Sequence, residues 1–253
     1  MADIGITPAA KVSEPWTVEK VLAEIPGDSS LKQASSPLAF FHLLERLKTT
    51  KREGWRRFGI SHGESISDHM YRMSIISMLA PPSLAPRLDM ARCIKMCLVH
   101  DMAELLVGDI TPLDGVPKAE KNRRETSAMD YLSSLLNKGN QCAAVGAELR
   151  AIWQEYEDAD TLESKFVHDV DKMELLLQMV EYERRAGGQL DLGEFAYVGR
   201  KMALAETRVW AEELLGERRE FWGSRERVDG DLGTRGGVSE ERNEQQEAYY
   251  SQS

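Results

Sequence analysis

Positive charge is in deficit in this chain. It sets 32 Lys and Arg against 42 Asp and Glu, for a formal net charge of −10 and a sequence pI near 5.1. That balance excludes a nucleic acid polymer or an anionic membrane as the main partner, while a small anionic ligand sees only local charge. Cysteine is also scarce. Cys93, Cys97 and Cys142 form no C-x-x-C pair, and an odd count argues against a disulfide framework. Cys93 and Cys97 lie one turn apart in an apolar stretch and read as reduced core residues. No apolar run reaches the length of a membrane span, and no basic start leads into an apolar core at the N-terminus. A soluble cytoplasmic protein, with the nucleus as a further location, is therefore expected. Strand alternation is missing as well: every strong apolar period is helical.

What is present is enough apolar material, 42% of the residues, for a sizeable core. Residues 1–36 mix Pro, Gly and Ser and are expected to be largely disordered, with one loose helix over Val18 to Ile25. Residues 37–222 are expected to form one all-α domain. The polar stretch 223–253 has almost no apolar period and is expected to be a disordered tail. Within the domain a helix starts at Leu38 and is apolar at Leu38, Phe41, Leu44 and Leu47. A second opens near Ser65 or Ser67 as cap and ends before Pro81-Pro82. Further helices are predicted over Lys118 to Asn137, Ala143 to Tyr156, Leu162 to Ala186 and Leu192 to Trp222.

The stretch that organises the chain is Cys97-Leu98-Val99-His100-Asp101-Met102-Ala103-Glu104-Leu105-Leu106-Val107-Gly108-Asp109. It reads as the end of one helix that starts near Leu88. Four polar groups in an apolar run need a reason, because burying a charge without a partner is costly. A bound cation supplies one. On a helix His100 and Glu104 share a face, so one metal can take His100 and Asp101 and leave Glu104 free beside it. A second His-Asp pair, His168-Asp169, has Lys165 and Lys172 at neighbouring helical positions and reads as a solvated face. Its helix offers one further carboxylate, Asp169 or Asp171, and periodicity does not choose between them. The basic loop Lys51-Arg52-Glu53-Gly54-Trp55-Arg56-Arg57 reads either as a solvated charge run around an anchoring Trp or as an anion site with a stacking platform.

The ordered set His69, His100-Asp101-x-x-Glu104-x-x-x-Gly108-Asp109 and a distant Asp171 resembles the signature of HD-domain phosphohydrolases. The similarity is greatest to their 5′-deoxynucleotidase branch, of the HD domain-containing protein 2 type. It runs through Gly54-Trp55, Glu64 to Met73, Leu98 to Glu104, Val107 to Ile110, Pro117-Lys118, Lys165 to Val167, Glu174 and Glu181 to Glu183. It spans about residues 38 to 215. One departure is Arg56-Arg57-Phe58, where relatives carry a single arginine one position later.

The resemblance implies an HD-domain helical bundle and a homodimer. It assigns the metal ligands as His69, His100, Asp101 and Asp171, and so chooses Asp171 over Asp169. Glu104 becomes a catalytic acid or base. Arg52 is assigned to the phosphate and Trp55 to the nucleoside side of a 2′-deoxyribonucleoside 5′-monophosphate. Asp109, counted with Glu104 among the catalytic residues, is read as setting the sugar preference because it follows Gly108 at a helix end, where its backbone can approach a ligand closely. A site of two imidazoles and two carboxylates suits one divalent transition metal, Mn, Co, Fe, Ni or Zn. The alternatives are an HD hydrolase of nucleoside triphosphates or cyclic phosphodiesters, and a non-enzymatic scaffold stabilised by a metal. With five histidines in all, a second metal centre lacks ligands.

Overall fold

The computed structural model describes residues 15–25, 36–137 and 142–223. Among these residues every regular element is helical, and the single β-bridge pairs Lys51 with Ser65. The expected disorder of 1–14, 26–35 and 224–253 lies outside the described residues. The described residues divide into two compact units, those within 15–70 and 98–154, and those within 71–97 and 155–223.

The first unit contains α1 (Val18–Glu24), α2 (Leu38–Thr49), the short α3 (Glu53–Arg56), the start of α4 (Ile66–Ser77), α6 (Glu104–Val107), α7 (Lys118–Asn137) and most of α8 (Ala143–Asp158). Helix α1 is better ordered than its composition predicts. Thr17 caps it by accepting from the Lys20 N–H, and Trp16, Val21 and Leu22 are buried. It packs on α6 and α7, and Arg123 of α7 donates to the Trp16 carbonyl at 3.0 Å. Burying such side chains contributes about 1.5–3 kcal/mol each as an upper figure, which exceeds what a seven-residue helix can supply alone. Helix α2 also differs in register from expectation. Ala39, Phe40, Leu43 and Leu47 face inward, while Leu38 and Phe41 are each 55% exposed. Both sets satisfy a 3.6-residue period, so only packing against α6 and α7 chooses between them.

The second unit contains the rest of α4, α5 (Met90–Cys97), α9 (Leu162–Arg185) and α10 (Ala205–Gly223). Helix α9 is its axis, contacting α5, α10 and the 3₁₀ stretch Gly193–Lys201. Thr161 caps it through the Ser164 N–H, and Phe166, Val170, Met173, Leu176 and Val180 are buried along one stripe. Gly187, at φ 63°, takes a left-handed conformation that other residues adopt only with strain, and α9 ends just before it. The single helix expected over 192–222 is divided in two. Asp169 explains the break: its carboxylate accepts from the Ala203 and Leu204 N–H groups, at 2.8 Å each, and from the Thr207 hydroxyl at 2.6 Å. Those donors are satisfied at the start of α10, so a new helix begins there.

Candidate metal and phosphate site

His69 is positioned by local chemistry. Ser65 accepts from the Asp68 N–H at 3.2 Å, and the Asp68 carboxylate accepts from the Ser65 N–H at 2.8 Å. This reciprocal box starts α4 and leaves His69 in its first turn, fully buried. Of the two serines expected as cap, Ser65 fills the role. Just upstream, Arg52 N–H donates to Glu64 O and Ile66 N–H to Thr50 O, which seats the basic loop beside the start of α4.

His100 and Asp101 do not lie on a continuous helix, as their sequence setting predicts. Helix α5 ends at Cys97, and residues 98–103 form turns before α6 begins at Glu104. The hydrogen bonds here span three residues: Met102 N–H to Val99 O, Glu104 N–H to Asp101 O and Leu105 N–H to Met102 O. Adjacent residues on an α-helix diverge by about 100°. The tighter turns bring the neighbours His100 and Asp101 together at one point. Arg46 of α2 braces the segment, its Nε donating to Leu105 O at 2.5 Å.

At that point Asp101 Oδ2 lies 3.3 Å from His100 Nε2, 3.8 Å from His69 Nε2 and 3.0 Å from Arg52 Nη1. The two imidazole centroids are 5.5 Å apart. One donor atom from each of His69, His100 and Asp101 falls within 4.8 Å of the other two. Ligands about 2.0–2.2 Å from one cation lie about 3–3.5 Å apart, so this cluster fits a transition metal after small adjustments. Burial pushes the Asp101 carboxyl up, but His100, Arg52 and His69 outweigh it and hold the group well below the usual carboxylate range. These neighbours favour the anionic form of Asp101, the form in which a carboxylate can take a metal.

Glu104 is the opposite case. It is 4% exposed, and its Oε2 has no hydrogen-bond partner among the described residues. Burial, then the charges of Asp101 and Asp109, push its carboxyl well above the ordinary value, against the pull of Lys121 and Arg52. Lys121 was not singled out from sequence. Its ammonium is 3.5 Å from Glu125 on the same face of α7. The only signal in the sequence was that i,i+4 pair, which thousands of surface helices share.

Asp109 follows Gly108, whose φ of 81° ends α6. Its Oδ2 accepts from the Glu53 N–H at 2.7 Å, so this carboxylate tethers the segment that carries Arg52. Trp55 is corrected by the structure as an open stacking platform. Its ring is 1% exposed and its Nε1–H donates to Glu64 at 2.7 Å, which makes it the anchor of the loop.

Asp171 lies in the second unit, half-buried, and accepts from the Tyr156 hydroxyl at 3.0 Å. Asp169 is fully buried and both of its oxygens are used at the start of α10. His168 is not on a simple solvated face: it stacks on Tyr156 with centroids 3.9 Å apart and lies 2.9 Å from the Tyr156 carbonyl.

A family model described as HD domain matches residues 44–209. The 5′-deoxynucleotidase hdd1 of Schizosaccharomyces pombe is 44% identical over 189 residues, covering 75% of this chain and 93% of that protein. The 5′-deoxynucleotidase HDDC2 of Homo sapiens is 43% identical over 150 residues, 59% of this chain and 70% of that protein. Among solved structures, the HD domain-containing protein YGK1, whose Saccharomyces cerevisiae sequence is named a 5′-deoxynucleotidase, superposes with a TM-score of 0.59 at 30% identity. That match covers 83% of this chain and all of the other.

Proposed function

The chain belongs to the HD-domain family, and on that premise we propose that it is a metal-dependent 5′-deoxynucleotidase. It hydrolyses 2′-deoxyribonucleoside 5′-monophosphates to deoxyribonucleoside and phosphate, with residues 37–222 as the phosphohydrolase domain. The observation that carries this reading is the convergence of His69, His100 and Arg52 on Asp101, beside a buried Glu104, in a chain 44% identical to an enzyme of that name.

His69, His100 and Asp101 hold the cation, and the sequence pattern adds Asp171 as the fourth ligand. Two nitrogen and two oxygen donors suit Mn, Co, Fe, Ni or Zn. When bound, such a cation acidifies water and offsets charge on the phosphate.

Arg52 binds the phosphate. One N–H is taken by Asp101, and the rest of its planar fork offers further donors to phosphoryl oxygens. Lys121 adds a second positive charge on the Glu104 side. Glu104 keeps a proton on its buried carboxyl and passes it to the 5′-oxygen as the P–O5′ bond breaks, while a water oxygen bonds to phosphorus and the proton that water gives up returns to the Glu104 carboxylate. An alkoxide is a poor leaving group, so that proton transfer lowers the barrier.

Asp109 sets the sugar preference. One oxygen holds the Arg52 loop and the other accepts from the 3′-OH. The active form is a homodimer that works in the cytoplasm.

The test is phosphate release from a panel of ribo- and deoxyribonucleoside 5′-monophosphates, each with Mn, Co, Fe, Ni and Zn. Metal-dependent release favouring the deoxy series is expected. Equal rates for dAMP and AMP would remove the deoxy preference, and no release with any metal would remove the enzyme.

A further inference from the structure

Helix α4 leaves one face uncovered in the second unit. Tyr71 is 66% exposed, Ile75 42%, Met78 53% and Leu79 70%. At 100° per residue these positions (i, i+4, i+7, i+8) fall within an arc of about 100°. Three-residue hydrogen bonds from Met78, Leu79 and Ala80 extend the helical path one turn beyond Ser77, so the four side chains form a continuous stripe. Pro82 and Pro86 carry the exposed surface onward. From Met73 to Pro86 no residue bears a charge, in a chain that is 29% charged.

We infer that this face is the surface on which a second copy of the chain docks, by an isologous crossing of two α4 helices centred near Ile75. The inference rests on the homodimer of the proposed function and assigns its interface.

Three features of the molecule select this occupant. The first is area. The four side chains expose roughly 400–500 Å² in all, the size at which an apolar patch marks an interaction site. A standard interface needs about 800 Å² per partner, so the stripe supplies about half, and the uncharged surface through Pro82 and Pro86 extends it. The second is charge. The chain carries −10 overall, and a patch without charge lets two such chains meet with no ion desolvated. It offers nothing to a basic partner or to anionic lipid headgroups. The third concerns the chain's own C-terminal stretch. Residues 224–253 are dominated by Gly, Arg, Glu, Gln and Ser and contain no apolar period that could fill a helical stripe. A second α4 has that period by construction, and under a two-fold axis Tyr71 meets Leu79 of the second copy.

The experiment measures mass in solution by sedimentation velocity for the full chain and for two double variants. The wild type is expected at twice 28.5 kDa. Ile75→Glu with Leu79→Glu is expected at the monomer mass, with a cooperative thermal transition retained. Leu38→Glu with Phe41→Glu, at the other exposed apolar pair, is expected to keep the wild-type mass. A dimeric Ile75→Glu/Leu79→Glu variant overturns the assignment of the face while leaving the homodimer standing. A monomeric wild type overturns both. If the glutamate pair fails to fold, Ile75→Cys in a Cys142→Ser background decides the matter. A short bis-maleimide should then give a covalent dimer, and its absence at a concentration where the protein is dimeric overturns the proposal.

Discussion

Arg52 donates from Nη1 to Oδ2 of Asp101 at 3.0 Å, to the same oxygen that faces the Nε2 atoms of His69 and His100. The side chains of Arg52 and Asp101 are 16% and 17% exposed, so water screens the pair only partly. The proposed phosphate residue and the proposed metal ligands therefore share one carboxylate. Arg52→Lys keeps the charge and loses the fork. It is expected to lower kcat/KM on the order of 10-fold, and Arg52→Gln on the order of 10²-fold, since a charged hydrogen bond is worth about 1.5–3 kcal/mol. Metal content should remain stoichiometric in both. Steady-state kinetics on dAMP with metal analysis of the same samples checks this, and unchanged kinetics in the Gln variant would count against the role.

Glu104→Gln is expected to keep its metal and lose turnover by on the order of 10²–10⁴-fold. It should also change the pH dependence of the metal-free protein. Burial, with the charges of Asp101 and Asp109, holds the folded-state pKa of Glu104 well above the ordinary glutamate value of 4.5. Its contribution to stability is thus complete below that value and is lost as pH rises through the raised one. Glu104→Gln removes the penalty. The melting temperatures of wild type and variant, measured after chelation, should agree near pH 4.5 and separate as pH rises, with the variant more stable at neutral pH. A constant difference across that range would refute the assignment of Glu104 as the titrating group.

Two acids two residues apart on α9 are expected to behave differently. Asp169 accepts three hydrogen bonds at the start of α10 and is fully buried. Asp169→Ala leaves those donors unmet and should cost about 3–5 kcal/mol in urea unfolding. Asp171→Ala should instead release metal and abolish activity, with a small effect on the unfolding of the metal-free protein. Metal loss from a folded Asp169→Ala variant, with metal retained in Asp171→Ala, would reverse the two roles.

Asp109→Ala removes the acceptor of the Glu53 N–H and so loosens the Arg52 segment. KM for dAMP is expected to rise and the dAMP-to-AMP ratio of kcat/KM to fall. Exclusion of a hydroxyl by shape gives only about 10²-fold discrimination in the wild type, so measurable hydrolysis of AMP is expected there as well. Comparison with 3′-dAMP isolates the 3′-OH contact: the variant should no longer distinguish it from dAMP.

The thiols provide a probe of folding that is independent of the site. Burial first, then nearby carboxylates and, for Cys97, also the Cys93 thiol, push Cys93 and Cys97 up to about 12. Neither forms appreciable thiolate between pH 7 and 10. Cys142 is only half-buried. Titration with a disulfide reagent at pH 8 should show one fast thiol in the native protein and two more only on unfolding. Three fast thiols in the native protein would contradict the packing of α5.

Much of this molecule is written locally, and those parts could be read without a structure. Helix α7 spans Lys118–Asn137 as expected from sequence, and α9 has its Thr cap and its glycine stop where short-range chemistry puts them. The cluster of His100, Asp101, Glu104 and Asp109 was visible because charges in an apolar run demand a partner. Other features depend on contacts across long sequence separations, which no local pattern encodes. The inward register of α2 was one of two that fit the same period, and packing on α6 and α7 selected it. The break between 201 and 205 depends on Asp169, more than thirty residues upstream. For Trp55 the local pattern left an anchor and a platform open, and it was the indole N–H finding Glu64, with the ring buried, that made it the anchor. The turns at 98–103 replaced a helix because His100 and Asp101 meet His69 and Arg52 at one point, a demand set in space and not along the chain. Local sequence therefore determined which polar residues sit in the apolar core, while tertiary packing decided which of their atoms meet.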